Sequence, residues 1–357
     1  MFGVRIALLA PLVAPLREPQ MGGVQTHLVD LALGLRARGH AVTVYASTGS
    51  GIDGVAVADT GVDAERLGAT LFRPGLEHPG ASEADAAFAI AAALIARGDH
   101  DVVHNHAFDV AAIRHLTALS IPVAHTLHLP PAPAVARALA LARRGDRPPT
   151  VVAVSGAQAR SWRRFAAIDA VIRPGLPVAS IPWSATSTTD LLFAGRLSPE
   201  KGAVEAVAIA RAAGLPLLLR GQPYDPAYAR RLRPLVDGTS VRLMEALPRA
   251  GLWVEMGRVG VVLCPAGWEE PFGLVSAEAN ACGTPVVGFR CGGLPEVVAQ
   301  GVSGFLVGDG DISAAALAVH RALDLSRDAC RRHAETTLDL GPELDAHERL
   351  YGRLTSA

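Results

Sequence analysis

The first 46 residues permit few folds. "VRIALLA" is a continuous apolar run, the pattern of a strand covered on both faces. After a short loop, "GGVQTHLVDLALGLRARG" sets Val24, Leu28, Leu31 and Leu35 at helical spacing and places Gly39 to end the helix. "AVTVYAS" is the next strand. Two apolar strands joined through one amphipathic helix form a β-loop-α-β unit, which implies a parallel sheet with a right-handed crossover. Further strands are expected at "DVVHNH", "IPVAHTLH" and "TVVAVS", separated by alanine-rich helical stretches. The opening "MFGVRIALLAPLVAPL" has the look of a signal peptide, but no small-residue cleavage site follows it. A glycine pair and an amphipathic helix follow instead, so a buried first strand is the reading, and no other segment resembles a membrane span.

Residues 174–189, "PGLPVASIPWSATSTT", carry no amphipathic period and read as a linker. The alternation then restarts, with strands expected at "DLLFAGRL", "LPLLLRG", "VRLMEAL", "VVLCPA" and "PVVGF". At 357 residues the chain exceeds one ordinary core. The expectation is an α/β protein of two doubly wound, Rossmann-like domains facing each other across a cleft, residues 1–178 and 179–341. The tail, 342–357, has helical spacing at Leu344, His347 and Tyr351 and is expected to pack back on the first domain. Residues 50–90 show little pattern. Net charge is −1 and charged residues make up 19%, so no basic field exists to draw nucleic acid or an anionic membrane. Cys264, Cys282, Cys291 and Cys330 show no C-x-x-C spacing, which reads as free thiols in a reducing, cytoplasmic setting. The arginine-rich, lysine-poor usage suits a GC-rich bacterial genome.

Chemistry concentrates in "GWEEPFGLVSAEANACGTPVV", residues 267–287, whose loop opens at the carboxyl end of a buried strand. Gly273, Leu274 and Val275 begin a helix, and their amides form a ready anion site. Glu278 sits inside that apolar helix, where an isolated carboxylate costs several kcal/mol unless paired, and Glu270 lies in the loop before it. Two hydroxyl-grasping carboxylates around an anion hole suit a sugar, a phosphate and a ribose in a row. The plainer alternative is an acid favouring the helix dipole and a buried salt bridge. "FAGRLSPEKG" holds Lys201, the single lysine among 33 basic residues. Gly22 and Gly23 allow close backbone approach to a ligand, or simply a turn. His104, His106, His125 and His128 fall at two strand ends. Four histidines suggest zinc, but no further ligand of suitable spacing accompanies them, and core or rim histidines are the alternative. "SWRRFAAIDAVIRPG" puts Arg163, Arg164 and Arg173 near Trp162 and Phe165, which reads either as a helix making weak peripheral membrane contact or as a solvated face.

E-P-F-G-L-V-x-x-E followed by A-C-G-T-P-V-V-G resembles the signature of the retaining glycosyltransferases of family four, which have the GT-B fold. "GGVQTHLVDLALGLRARGHAVTV", "DVVHNH", "VVAVSGAQ", "FAGRLSPEKG" and "GGLPEVVAQGVSGFLV" are similar to that family's other motifs, in the same order along nearly the whole chain. The resemblance implies transfer of a sugar from a nucleotide-diphosphate sugar to a hydroxyl acceptor with retained configuration, and no metal or other cofactor. Arg196 and Lys201 would hold the diphosphate together with the amides at Gly273, Leu274 and Val275. Glu270 would contact the transferred sugar, Glu278 the ribose, and His106 the donor sugar or acceptor. Gly22 and Gly23 would lie near the donor phosphate or the acceptor. His125 and His128 would be acceptor-side, Glu296 structural, and "RGQPYD" would border the base pocket. The compact first domain suits a small-molecule or sugar acceptor. Competing readings are a sugar-nucleotide 2-epimerase of the same fold, a non-catalytic sugar-nucleotide-binding partner, and a pseudo-transferase coupling an amine.

Overall fold

Alternate residues of the first strand enter different cores. Ile6 and Leu8 pack with Leu28, Leu31 and Tyr351, whereas Ala7 and Leu9 pack with Phe88, Ile95 and Leu116. A strand buried on both faces is what the unbroken apolar run demands. A computed structural model describes residues 3–71 and 81–356 and divides the chain into two compact units. One is Met1–Arg173 with Leu340–Ala357, the other Pro174–Asp339.

The first unit runs β1 (Arg5–Leu9), α1 (Gly23–Ala37), β2 (Ala41–Ala46), β3 (Ala56–Asp59), α2 (Ala64–Leu71), α3 (Ala81–Arg97) and β4 (Val102–Asn105). It continues α4 (Val110–Thr117), β5 (Val123–Leu127), α5 (Pro133–Ala142), β6 (Thr150–Ala153), α6 (Gly156–Trp162) and β7 (Ala170–Val171). Among the described residues its seven strands are all parallel, in the order β3-β2-β1-β4-β5-β6-β7. The stretch 50–90, poor in pattern, carries β3, α2 and the start of α3, while residues 72–80 lie outside the described residues. A short α2, the alanine-rich start of α3 and a half-exposed edge strand leave too few large apolar side chains for a clear period.

The basic, aromatic helix expected at 161–175 does not form. The helix α6 ends at Trp162, and that indole is 1% exposed, packed with Leu139 and Val151. Its Nε1 donates to the Leu129 carbonyl at 2.9 Å. Trp162 is therefore a core residue, and the surface helix that a membrane contact would use is absent there. No described helix is long and apolar enough to cross a membrane.

The second unit runs β8 (Leu191–Ala194), α7 (Ala203–Ala213), β9 (Leu217–Arg220), α8 (Pro226–Leu232), β10 (Val241–Met244), α9 (Arg249–Arg258) and β11 (Val261–Cys264). It ends α10 (Leu274–Ala281), β12 (Val286–Phe289), α11 (Leu294–Val297), β13 (Gly304–Val307), α12 (Ile312–Leu323) and α13 (Arg327–Thr337). Its six parallel strands are ordered β10-β9-β8-β11-β12-β13. The linker segment is fastened to this unit by two buried guanidinium groups of α13. Arg331 donates to the carbonyls of Val178, Ile181 and Ala281, and Arg327 to those of Ser184, Val259 and Gly257. The last helix, α14 (Leu340–Thr355), belongs to the first unit and sets Leu344, Leu350 and Tyr351 into its core.

One glycine ties the second unit's loops together. Gly202 caps α7 with φ +79°, and a Cβ there would stand 1.9 Å from the Pro265 carbonyl oxygen. Gly214, at the other end of α7, has φ +67° with open space around the same position. Gly214→Ala should therefore cost only the left-handed backbone penalty, about 1–2 kcal/mol. Gly202→Ala should cost clearly more in denaturant unfolding, because the backbone of the 265 loop must also move. Equal costs would show that the two loops are not in van der Waals contact.

Candidate functional site

In the second unit the strand order reverses between β8 and β11, so the segments that follow these strands diverge and open a crevice at the sheet's carboxyl edge. The segment after β8 brings Arg196 and Lys201, and the segment after β11 brings Trp268, Glu270 and Gly273. They are pinned together by the Gly202–Pro265 approach and by the Gly267 amide donating to the Glu200 carbonyl at 3.2 Å. Lys201 Nζ donates to Glu270 Oε2 at 2.7 Å and stands 5.0 Å above the Trp268 ring. Trp268 Nε1 donates to the same carboxylate oxygen, also at 2.7 Å. Arg196 lies over the Tyr224 ring at 4.8 Å and reaches Glu200 at 3.4 Å. Tyr224 comes from "RGQPYD", which is bridged to the Arg196 loop through Leu197 and Pro223.

The Glu270 peptide is held from behind. Gly292 has φ +48°, a Cβ there would meet the Glu270 carbonyl oxygen at 2.1 Å, and the Gly293 amide donates to that oxygen at 2.7 Å. This is the physical use of the "GGLPE" glycines, with Glu296 in the first turn of α11 behind them.

Glu278 has its own enclosure. It is 5% exposed on α10, where Oε1 accepts from Arg249 Nε at 2.7 Å and from Trp253 Nε1 at 3.0 Å. Arg249 also lies over the Trp253 ring at 4.6 Å. The buried salt bridge, weighed in the sequence as the plainer alternative, is therefore present. Glu270 and Glu278 thus sit in separate cages of the same make, one cation and one indole N–H each. The helix α10 opens at Gly273, φ +105°, with no side-chain cap and no acidic residue in its first turn. Its leading amides, at Leu274 and Val275, directly follow the Glu270 loop in the chain. Cys264, at the end of β11, is held inert: burial pushes its thiol up to about 12.

In the first unit the reversal falls between β1 and β4. Gly22 and Gly23 begin α1, but Gly22 is extended at φ −169° and neither glycine has positive φ. A residue with a side chain could adopt that backbone, so left-handed freedom is not what the pair supplies. His104 and His106 leave β4 on one face. His104 Nδ1 pairs with the Tyr351 hydroxyl at 2.6 Å and its Nε2 with Thr126 Oγ1 at 2.7 Å. His106 Nδ1 pairs with His128 Nε2 at 3.0 Å. His125 turns away from both and pairs with Asn105, so it reads as a core histidine. Asp109, the cap of α4, has its carboxyl pushed up to about 7 by burial.

Several partners in both sites have no sequence signal of their own. Arg249 and Trp253 lie one turn apart on α9, and only the packing of α9 on α10 brings them to Glu278. His27 of α1 packs edge-on to His106 and His128, each with ring centroids 5.6 Å away, and its Nε2 meets Glu343 Oε1 at 2.6 Å across 316 positions. Trp268 alone was findable, two residues before Glu270 in the same loop.

The profile described as "Glycosyl transferases group 1" matches residues 184–337, and "Glycosyltransferase Family 4" matches residues 21–179. The D-inositol 3-phosphate glycosyltransferase of Mycolicibacterium smegmatis is 30% identical over 90% of this chain and 83% of that protein. The crystal structure of a glycosyltransferase involved in avilamycin A biosynthesis aligns with TM-score 0.71 and 26% identity, covering 99% of this chain and 98% of its own. A structure from Anabaena, HepE in complex with UDP and glucose, aligns with TM-score 0.75 and 19% identity over 98% of this chain and 100% of its own.

Arg249→Leu strands the Glu278 carboxylate and should lower unfolding free energy by about 3–5 kcal/mol. The double variant Arg249→Leu/Glu278→Leu should recover most of that loss in a denaturant double-mutant cycle. Burial is the main force holding His104, His106 and His128 well below the ordinary imidazole range, and it brings His125 and His347 down to about 4. These folded values lie below the unfolded one, so the unfolded chain binds more protons as pH falls from about 6.5. Stability of the first unit should be full above that pH and decline toward pH 4, on the order of 1–2 kcal/mol per histidine by pH 5. Hydrogen exchange of β4 and β5 amides at pH 7.5 and 5 reads this directly, and unchanged protection would contradict it.

Proposed function

This chain belongs to the glycosyl transferases of group 1 and has their GT-B fold, and on that premise we propose that it moves a sugar from a nucleotide-diphosphate sugar to a hydroxyl of a small polar acceptor, with retention and without a metal. The observation that carries the proposal is the Lys201–Glu270–Trp268 cage at the reversal of the second sheet. Lys201 and Glu270 are both partly solvent-accessible, with side chains 24% and 16% exposed, so an incoming anion can reach the ammonium. When a diphosphate arrives, Lys201 turns to it as a compact cation, Arg196 adds a second charge, and the leading amides of α10 donate from the opposite side. Charge building on the leaving phosphate as the glycosidic bond stretches is thereby met by groups already in place.

Glu270, relieved of its lysine, accepts hydrogen bonds from hydroxyls of the transferred sugar while Trp268 fixes its orientation. Glu278 stays clamped by Arg249 and Trp253 and offers its remaining lone pairs to the ribose. His106 contacts the donor sugar or the acceptor. Retention follows when the acceptor oxygen bonds to the anomeric carbon on the face the phosphate leaves, and the acceptor's proton passes to that phosphate. The carboxylates need not act as a nucleophile and acid pair. A cyclitol or sugar acceptor is supported by the relative named for D-inositol 3-phosphate and by the compact first unit. The four free cysteines suit a cytoplasmic setting.

Calorimetric titration with UDP, GDP, dTDP and ADP, in the presence of a chelator, tests the reading. One diphosphate should bind selectively, and Lys201→Ala should weaken it at least about tenfold, the equivalent of roughly 1.4 kcal/mol. Glu270→Gln should leave that binding nearly intact while crippling turnover. A strict need for a divalent ion, or equal binding by Lys201→Ala, would overturn the metal-free clamp.

A further inference from the structure

At the reversal of the first sheet, three imidazoles form a nearly equilateral triangle. Ring centroids of His27 and His106, of His27 and His128, and of His106 and His128 are 5.6, 5.6 and 5.2 Å apart. Each ring offers one nitrogen, and the three nitrogens lie within 4.8 Å of one another. All three residues are buried, at 3%, 0% and 8% exposure. We propose that His27, His106 and His128 form a binding site for a borderline transition-metal dication such as Zn2+, with Glu343 as the carboxylate behind His27.

The ring spacing fits the chemistry. With metal–nitrogen bonds of 2.0–2.1 Å, three imidazoles at tetrahedral angles place their centroids about 5 Å apart. His106 Nδ1 and His128 Nε2, 3.0 Å apart, are already within the separation of two nitrogens sharing one metal. His27 has to close in by on the order of 1 Å, a motion of a side chain on one helix. His106 Nδ1 and His128 Nε2 share a single hydrogen bond, in which one nitrogen must carry the proton, whereas a dication would engage both lone pairs. The Glu343 carboxylate, 2.6 Å from His27 Nε2 and 1% exposed, fixes that ring and supplies negative charge next to the incoming dication. A carboxylate behind a ligating histidine is the usual outer shell of such a centre. An all-imidazole set suits zinc, copper or nickel over magnesium or calcium, which take oxygen. Three protein ligands leave a fourth position for water or a hydroxyl.

The site lies within one unit. An occupied site would take His106 from any sugar contact, so the metal would act against turnover and not for it. This keeps it separate from the metal-free diphosphate clamp.

The test is titration of the chelator-stripped full chain with Co2+, followed by visible absorption. One equivalent should give the intense bands of tetrahedral cobalt, and one equivalent of Zn2+ should abolish them. His27→Gln and His128→Gln should each weaken the signal's affinity at least about tenfold, and Glu343→Gln roughly 10–100-fold. His125→Gln, a neighbour outside the triangle, should leave it unchanged. No tetrahedral spectrum in the parent chain, or one that persists in both His27→Gln and His128→Gln, would overturn the site. Nucleotide titrations are indifferent to either result.

Discussion

Backbone meets backbone where the two loops of the second unit join, and the site hangs on that meeting. Gly202 approaches Pro265 more closely than any side chain would allow, and Gly292 does the same behind Glu270. Strands β8 and β11 are neighbours, but their following segments run to opposite sides of the sheet. Left to themselves these segments would diverge, and Lys201 would not find Glu270 69 positions away. Two glycines in the left-handed region hold the loops at a distance where an ammonium, a carboxylate and an indole N–H meet. The glycines come at an entropic cost in the unfolded chain, roughly 0.5–1 kcal/mol each relative to alanine, and the geometry they permit offsets it.

Within that frame the two carboxylates differ through burial and through the cation each is given. Glu278 is nearly inaccessible, and a planar guanidinium stacked on Trp253 holds it. Arginine keeps its charge when desolvated and fixes direction as well as distance. Glu270 is closer to solvent, and a single ammonium on a flexible stem meets it. A point charge with three rotatable donors can leave a carboxylate for a phosphate without reorganising a planar fork. Under the proposed function, that difference gives the single lysine at 201 its use: Glu278 stays with its arginine while Glu270 releases its lysine to the diphosphate.

The parallel sheets were readable because buried strands must be apolar without interruption, and "VRIALLA", "DLLFAGRL" and "VVLCPA" all became central strands. The edges of the first sheet were not: β3 and β7 are short and partly exposed, so no period marks them, whereas the second sheet's edge strand β10 was expected at "VRLMEAL". Trp162 read as a surface aromatic because arginines follow it, yet the helix stops at that residue and turns the indole inward. Glu270, Glu278, Arg196 and Lys201 stood out as unusual residues in loops or in an apolar helix. Their partners did not. Arg249 and Trp253 look like any exposed turn of helix until α9 packs on α10, and Glu343 sits in a polar tail whose burial depends on α14 returning to the first sheet.

That return also accounts for the histidines. Without α14 the carboxyl edge of β4 and β5 would lie against solvent, and imidazoles there would titrate near their ordinary pH. With it, Tyr351 closes on His104, Glu343 on His27, and His347 on the same cluster. Burial disfavours the imidazolium, and neighbouring histidines disfavour it further. Such a cluster must either satisfy itself by hydrogen bonds or accept a cation. His104 takes the first course, with both nitrogens bonded to hydroxyls. His106 does not, because one nitrogen is spent on His128 and the other has no partner. The same topological reversal thus yields a reserve of positive charge in one unit and a reserve of lone pairs in the other.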